Sequence, residues 1–179
     1  MTTVPQLILG IDPSLTATGL CLCLAYQVTQ PPRLLLTITT SQMGLARLRT
    51  IADAVAYNAE SAMLTVMEGI SMGSRGMLDQ LAGLHWLIRD RLITEPLIVA
   101  PSQLKKFVLG SGKGEKSMML REVFRRWNIV AANDNEADAA GLAMIGRAYL
   151  DESCCDNQAQ REVIAALKAG PKTKRVKAR

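Results

Sequence analysis

Three acidic residues stand where a carboxylate is costly unless something pairs with it. The apolar run Leu7-Ile8-Leu9-Gly10-Ile11 leads directly to Asp12 and a Pro13-Ser14 turn. So apolar a run reads as a strand buried on both faces. An acid at its end calls for a metal ion, a basic side chain or a phosphate-bearing ligand. A second run, Leu64-Thr65-Val66-Met67, ends on Glu68, and Asp138 lies in the small-residue stretch Ala137-Asp138-Ala139-Ala140-Gly141. Three carboxylates from separate elements, two of them at strand ends, predict a cation site on an α/β scaffold. Oxygen ligands suit Mg2+, with Mn2+ expected to substitute, and no soft-ligand cluster suggests zinc.

The elements that must position these acids follow from hydrophobic periodicity. Strands are predicted over 7–12, 19–26 and 34–39, joined as antiparallel neighbours through a turn containing Pro31-Pro32. A helix over 44–62 carries Leu45, Leu48, Ile51, Ala52 and Val55 on one face, followed by a strand over 64–68. A glycine-containing loop over 69–76 leads to a helix over 77–94, and a short strand over 97–100 follows. Helices are then predicted over 102–109, 115–127, 135–150 and 158–168, with no further strand. The order β-β-β-α-β-α-β, closed by helices, implies a mixed five-stranded sheet with helices on both faces.

A chain of 179 residues suits one domain with a filled core, placed at 1–169. No apolar run is long enough to span a bilayer and no secretory signal is visible, so a cytoplasmic protein without membrane contact is expected. Cys21 and Cys23 share a strand face, and Cys154 and Cys155 are adjacent; neither pair has metal-site or disulfide spacing. The formal net charge is +5, and residues 170–179 hold five cations (Lys172, Lys174, Arg175, Lys177, Arg179) and no acid. The body is therefore balanced. The tail, 170–179, cannot bury apolar surface, is expected to be disordered, and suits a polyanion.

The stretch Ile8-Leu9-Gly10-Ile11-Asp12-Pro13-Ser14-Leu15-Thr16-Ala17-Thr18-Gly19 resembles the opening of the RuvC-type Holliday-junction resolvases. The resemblance continues at Val66-Met67-Glu68, at Pro101, Lys105, Gly110, Gly112 and Lys116, and at Ala137-Asp138-Ala139-Ala140, in order and at matching spacing. It implies an RNase H-like fold and a homodimeric endodeoxyribonuclease acting in DNA recombination and repair. Branched DNA is then the partner, and magnesium ions the cofactor. Two-metal phosphodiester hydrolysis needs several carboxylates around a metal pair about 4 Å apart, one ion activating water and the other stabilising the leaving oxygen. Asp12, Glu68 and Asp138 are the implied metal ligands. Lys105 and Lys116 are the implied phosphate contacts.

The chain departs from the family pattern in two places. Where the family carries a further acid or a histidine, three residues before the last aspartate, this chain has Asn135. Helix geometry lets either Asp134 or Asn135 reach the metals, while Glu136 points away from Asp138. Asp134 is the preferred fourth catalytic acid, acting from the helix N-cap, and the plainer reading is that it only caps the helix. The loop after Glu68 lacks the aromatic wedge common in these enzymes and offers Ile70 or Met72 instead, with Arg75 as a further DNA contact or a solubilising charge. A looser branch nuclease acting on forks and flaps, as in phage-type relatives, fits that loop.

Two other features have plainer readings. Gly110-Ser111-Gly112-Lys113-Gly114-Glu115-Lys116-Ser117 lacks Walker A spacing, but its glycines with Lys105, Lys106, Lys113 and Lys116 suit a phosphate backbone. Helix 77–94 presents Leu78, Leu81, Leu84 and Ile88 on one face, and in resolvases this helix helps form the dimer interface. His85, beside Trp86, reads as a packed residue rather than a base, and Met118 and Met119 as core filling. The expected function is magnesium-dependent nicking of Holliday junctions or other branched DNA. The alternatives are a catalytically inactive branched-DNA-binding module and an ATP-binding protein of the actin-kinase type, for which the chain is too short.

Overall fold

The computed structural model describes residues 6–26, 30–70, 77–111 and 116–170, with the backbone alone at 116 and 117. Five strands, β1 (Leu7–Asp12), β2 (Thr18–Leu24), β3 (Leu34–Ile38), β4 (Ala62–Glu68) and β5 (Leu97–Val99), form one sheet in the order β3-β2-β1-β4-β5. β1 pairs antiparallel with β2, and β2 with β3, while β1–β4 and β4–β5 are parallel. β1 and β2 are joined by the short turn over 13–17. The parallel pairs are bridged by α1 (Gly44–Ala59) and α2 (Leu78–Arg91), because a parallel connection needs a crossover.

The central strand is buried along its whole length. Leu9 and Ile11 face α1 and α2, where they join Leu20, Met67, Leu48, Ile51, Val55, Leu84 and Ile88. On the opposite face Ile8, Cys21, Cys23 and Val66 meet α5 (Asp134–Leu150). Around α5 lie α3 (Pro101–Leu109), α4 (Lys116–Trp127) and α6 (Gln158–Lys168), and Phe107 stacks on Trp127 with ring centres 6.1 Å apart. α5 is buried on nearly every side over 136–148. That explains its many small residues: a helix enclosed on all sides packs closely and exposes no broad polar face. Its one buried cation, Arg147, donates through Nε to the Leu24 carbonyl at 2.7 Å.

The architecture is the mixed α/β sheet expected, with several boundaries moved. β2 starts at Thr18 and stops at Leu24. α1 ends at Ala59, and β4 begins two residues earlier than expected. α2 ends at Arg91, because the Leu92 amide closes on the Ile88 carbonyl at 3.1 Å and the chain then bends toward Pro96. A 3-10 turn over Glu152–Cys154 was not anticipated. Leu45, expected on the buried face of α1, is exposed, since that face runs through Leu48, Ile51, Ala52, Val55 and Ala59. No helix among the described residues is long and apolar enough to cross a membrane.

Candidate active site

β1 and β4 run parallel, with Ile11 opposite Met67, so the next residues, Asp12 and Glu68, end side by side at one edge of the sheet. Carboxyl ends of parallel strands are where open α/β sheets collect ligands. The third acid arrives by close packing. A Cβ on Gly10 would meet the Ala139 carbonyl oxygen at 2.0 Å, and one on Gly19 would meet the Asn135 carbonyl oxygen at 2.1 Å. Gly19 pairs with Asp12 across the β1–β2 ladder. Two missing side chains thus let the first turns of α5 lie directly on the strand ends. Asp134, Asn135 and Asp138 come with them.

The start of α5 is held by a polar brace. Asn133 is the N-cap, its Oδ1 accepting from the Glu136 amide at 3.0 Å. Its Nδ2 donates to Thr37 Oγ1 at 2.9 Å, and Thr37 Oγ1 donates to Glu136 Oε1 at 3.2 Å. Glu136 Oε2 accepts from the Ala132 amide at 2.8 Å. The expectation that Asp134 caps the helix is corrected here: Asn133 does so, and Asp134 is the first helical residue. Glu136 turns toward β3, on the side away from Asp138, as helical spacing required.

Asp12, Glu68, Asp134, Asn135, Asp138 and Lys105 line one cleft of about 310 Å³, with Ser14, Pro101 and Met119 completing its wall. Lys105 is presented by α3, which begins at Pro101 immediately after β5 and is tied down where Gln103 Oε1 accepts from the Ala100 amide at 2.9 Å. The turn after Asp12 is braced as Thr18 Oγ1 donates to the Ser14 carbonyl at 2.7 Å. Asp12 is 7% exposed. Burial, the charges of Glu68 and Asp138, a side-chain hydrogen bond with Glu68 and the charge of Asp134 hold its carboxyl well above the ordinary range.

The donor set fits a hard divalent cation: four carboxylates and one amide, all oxygen donors, with a buried acid whose ionised form is opposed by burial and by its acidic neighbours. Among the described residues, no three His, Cys, Asp or Glu side chains gather as a ready ligand cage. Asp12 and Glu68 are joined by a side-chain hydrogen bond, and the charges of Asp138 and Asp134 act on the Asp12 carboxyl.

The other candidate residues lie elsewhere. Lys113 and Arg75 fall outside the described residues, as does Met72. Lys116 begins α4, its side chain undescribed. Ile70 is half-buried in a neighbouring groove that shares Pro101 with the cleft. Lys106, grouped with the phosphate-binding lysines, turns away and pairs with Glu162 at 2.6 Å. His85 is buried on α2, as are Leu84 and Ile88, and burial with the Arg89 charge lowers its pKa to about 4. Met119 is buried as expected but also walls the cleft. Ser14 was missed. Its signal is the Ser14–Thr18 spacing, which lets two hydroxyls brace one tight turn.

No family model and no curated protein matches the sequence. Solved structures do. Thermus thermophilus RuvC superposes with a TM-score of 0.63 at 16% identity, covering 77% of this chain and 91% of that one. T. thermophilus RuvC in complex with Holliday junction substrate superposes with a TM-score of 0.64 at 17% identity, covering 83% and 95%. At such identity the likeness is one of fold, and the chain has the RNase H-like fold of the RuvC-type Holliday-junction resolvases.

Proposed function

We propose that this chain is a magnesium-dependent endodeoxyribonuclease that nicks four-way junctions or other branched DNA by hydrolysing a phosphodiester bond. The observation that carries the reading is the shared cleft of Asp12, Glu68, Asp134, Asn135, Asp138 and Lys105. The fold shared with T. thermophilus RuvC, a protein seen with Holliday junction substrate, supports the choice of DNA.

Asp12, Glu68 and Asp138 would hold magnesium or manganese, with Asp134 or Asn135 completing the set. The bound cation supplies Lewis-acid stabilisation of the charge on the phosphate. Lys105, which lines the same cleft, adds a positive charge for the phosphate oxygens where negative charge develops. A carboxylate of the cleft orients a water for attack on phosphorus. That carboxylate takes the water's proton as the water oxygen bonds to phosphorus, the phosphorus–oxygen bond to the leaving sugar breaks, and the released sugar oxygen takes up a proton from solvent water. Water is the nucleophile, so no covalent enzyme intermediate forms. Paired nicks on a four-way junction require two such sites, hence a homodimer. The outer side of α2, where Trp86 is 63% exposed beneath Arg89 at 4.2 Å, is a surface such a partner can cover.

A second reading is a branched-DNA-binding module without cleavage. It is favoured by Asn135, which lines the cleft in place of an acid. The deciding experiment compares cleavage of labelled four-way junction, fork and linear duplex with magnesium, manganese or EDTA. Symmetric nicks confined to the junction establish a dimeric resolvase, and cuts on forks and flaps a relaxed branch nuclease. Retarded bands without cuts in either metal establish the binding module.

A further inference from the structure

The start of α5 carries two of the four acids of the cleft, Asp134 and Asp138. Successive helical residues are about 100° apart around the axis. Asn135 lies toward the sheet, since a Cβ on Gly19 would meet its carbonyl oxygen at 2.1 Å and its Cβ at 3.2 Å. Asp134 is then about 100° to one side, Asp138 about 60° to that same side, and Glu136 about 100° to the other. Glu136 reaches Thr37 of β3, the edge strand. A roll of α5 about its axis that frees Glu136 therefore moves both acids.

The brace that stops this roll is a closed ring. Thr37 Oγ1 accepts from Asn133 Nδ2 at 2.9 Å and donates to Glu136 Oε1 at 3.2 Å, and the Glu136 amide closes the ring on Asn133 Oδ1 at 3.0 Å. The second oxygen of the buried Glu136 takes the Ala132 amide at 2.8 Å. A buried carboxylate is costly without such partners, so Glu136 is held over β3. Thr37 pairs with Gly19, and Gly19 with Asp12, so the brace and Asp12 stand in one row across β3, β2 and β1. The acids of the cleft repel one another, the charges of Glu68, Asp138 and Asp134 all acting on Asp12. Repulsion pushes the α5 acids outward, and the ring resists it.

We infer that Thr37 and Glu136 are positioning residues for the cation site: they hold Asp134 and Asp138 toward Asp12 and Glu68 before any cation binds. The inference rests on the metal-dependent nuclease reading for the cation. The Thr37 hydroxyl is the group that matters, because it accepts and donates at once. Groups that orient metal ligands without touching the metal are worth about 10–100-fold in affinity.

The test compares the parent with three variants. Thr37→Val keeps the branched shape and loses the hydroxyl, Thr37→Ser keeps the hydroxyl, and Ile51→Val is a core change among the residues facing α1 and α2. Mn2+ binding is titrated by calorimetry without DNA, counting only binding that Asp12→Asn abolishes. Thr37→Val is expected to bind Mn2+ about tenfold more weakly and to need about tenfold more Mg2+ for half-maximal cleavage. Thr37→Ser should bind Mn2+ like the parent. Ile51→Val should lower the melting temperature at unchanged Mn2+ affinity, which separates positioning from stability. Parent-like Mn2+ binding by Thr37→Val overturns the inference. So does a loss of affinity in Ile51→Val equal to that in Thr37→Val, or a failure of Thr37→Ser to bind like the parent. A parent that binds Mn2+ but never cuts overturns the nuclease reading alone, and the Mn2+ titration still decides the brace. A parent that binds no Mn2+ in the cleft overturns both.

Discussion

Gly10 of β1 lies so close to Ala139 of α5 that a methyl group on Gly10 would stand 2.0 Å from the Ala139 carbonyl oxygen and 2.6 Å from the Ala143 amide. This contact sets how deeply α5 sits on the sheet. It also sets the candidate site, because Asp12 is two residues past Gly10 and Asp138 is the neighbour of Ala139. Gly10→Ala must push backbone against backbone, which no rotamer change relieves. A loss of about 1–3 kcal/mol or more is expected, together with weakened cleavage as Asp138 moves from Asp12. Denaturant unfolding and junction cleavage measure the two effects. An unchanged midpoint would show that the helix does not ride on the strand.

Asp12→Asn should separate stability from activity. The buried Asp12 carboxyl is held above its ordinary range by burial and by its acidic neighbours, so its ionised form opposes folding at neutral pH. The amide removes that opposition. In EDTA the variant should melt at a higher temperature than the parent, while cleavage in magnesium falls by at least about 10²-fold. Normal cleavage by a folded Asp12→Asn protein would sink the site assignment.

Two adjacent lysines should behave differently. Lys105 lines the cleft, whereas Lys106 faces Glu162 in a half-exposed pair. Lys105→Met is expected to slow single-turnover cleavage by about 10²-fold with little change in melting. Lys106→Met should cost at most about 1 kcal/mol of stability, the usual worth of such a pair, and leave the cleavage rate near normal. Equal effects on cleavage would contradict the geometry.

His85 should make the fold acid-sensitive. Burial, then the Arg89 charge, lowers its pKa from 6.5 to about 4. The unfolded chain takes up a proton near pH 6.5 while the folded chain resists until about pH 4. Stability from this group is therefore intact above pH 6.5 and lost as the pH falls toward 4. The slope is at most about 1.4 kcal/mol per pH unit, reduced where solvent reaches the ring. Unfolding of the parent and of His85→Gln across that window gives the test: the difference between them should narrow as the pH drops.

The thiols should report on core integrity. Cys21 and Cys23 are buried against α5, and burial raises both above the ordinary thiol range. A thiol kept protonated is a poor nucleophile. Alkylation of the native protein is expected at Cys154, which is partly exposed, well before Cys21 or Cys23, which should react only on unfolding. Mass mapping of a time course decides this.

Much of this protein is readable from local pattern. Apolar runs ending on Asp12 and Glu68, helical spacing through Leu48, Ile51 and Val55, and the Pro-Pro turn before β3 are short-range signals, and strand or helix periodicity exposes them directly. The element order follows, and with it a mixed sheet. What local pattern could not reach depends on residues far apart in the chain. Gly10 and Gly19 look like ordinary strand glycines until α5 is laid across them. Asn133, the cap of α5, is held by Thr37, nearly a hundred residues earlier, which receives its side-chain N–H. Lys105 and Lys106 are equivalent as letters, and only the packing of α6 against α3 turns one to Glu162 and leaves the other in the cleft. Composition and periodicity therefore decide which elements form and which faces they bury. The depth of α5 on the sheet decides which carboxylates meet, because that depth depends on backbone-to-backbone contact between segments more than a hundred residues apart.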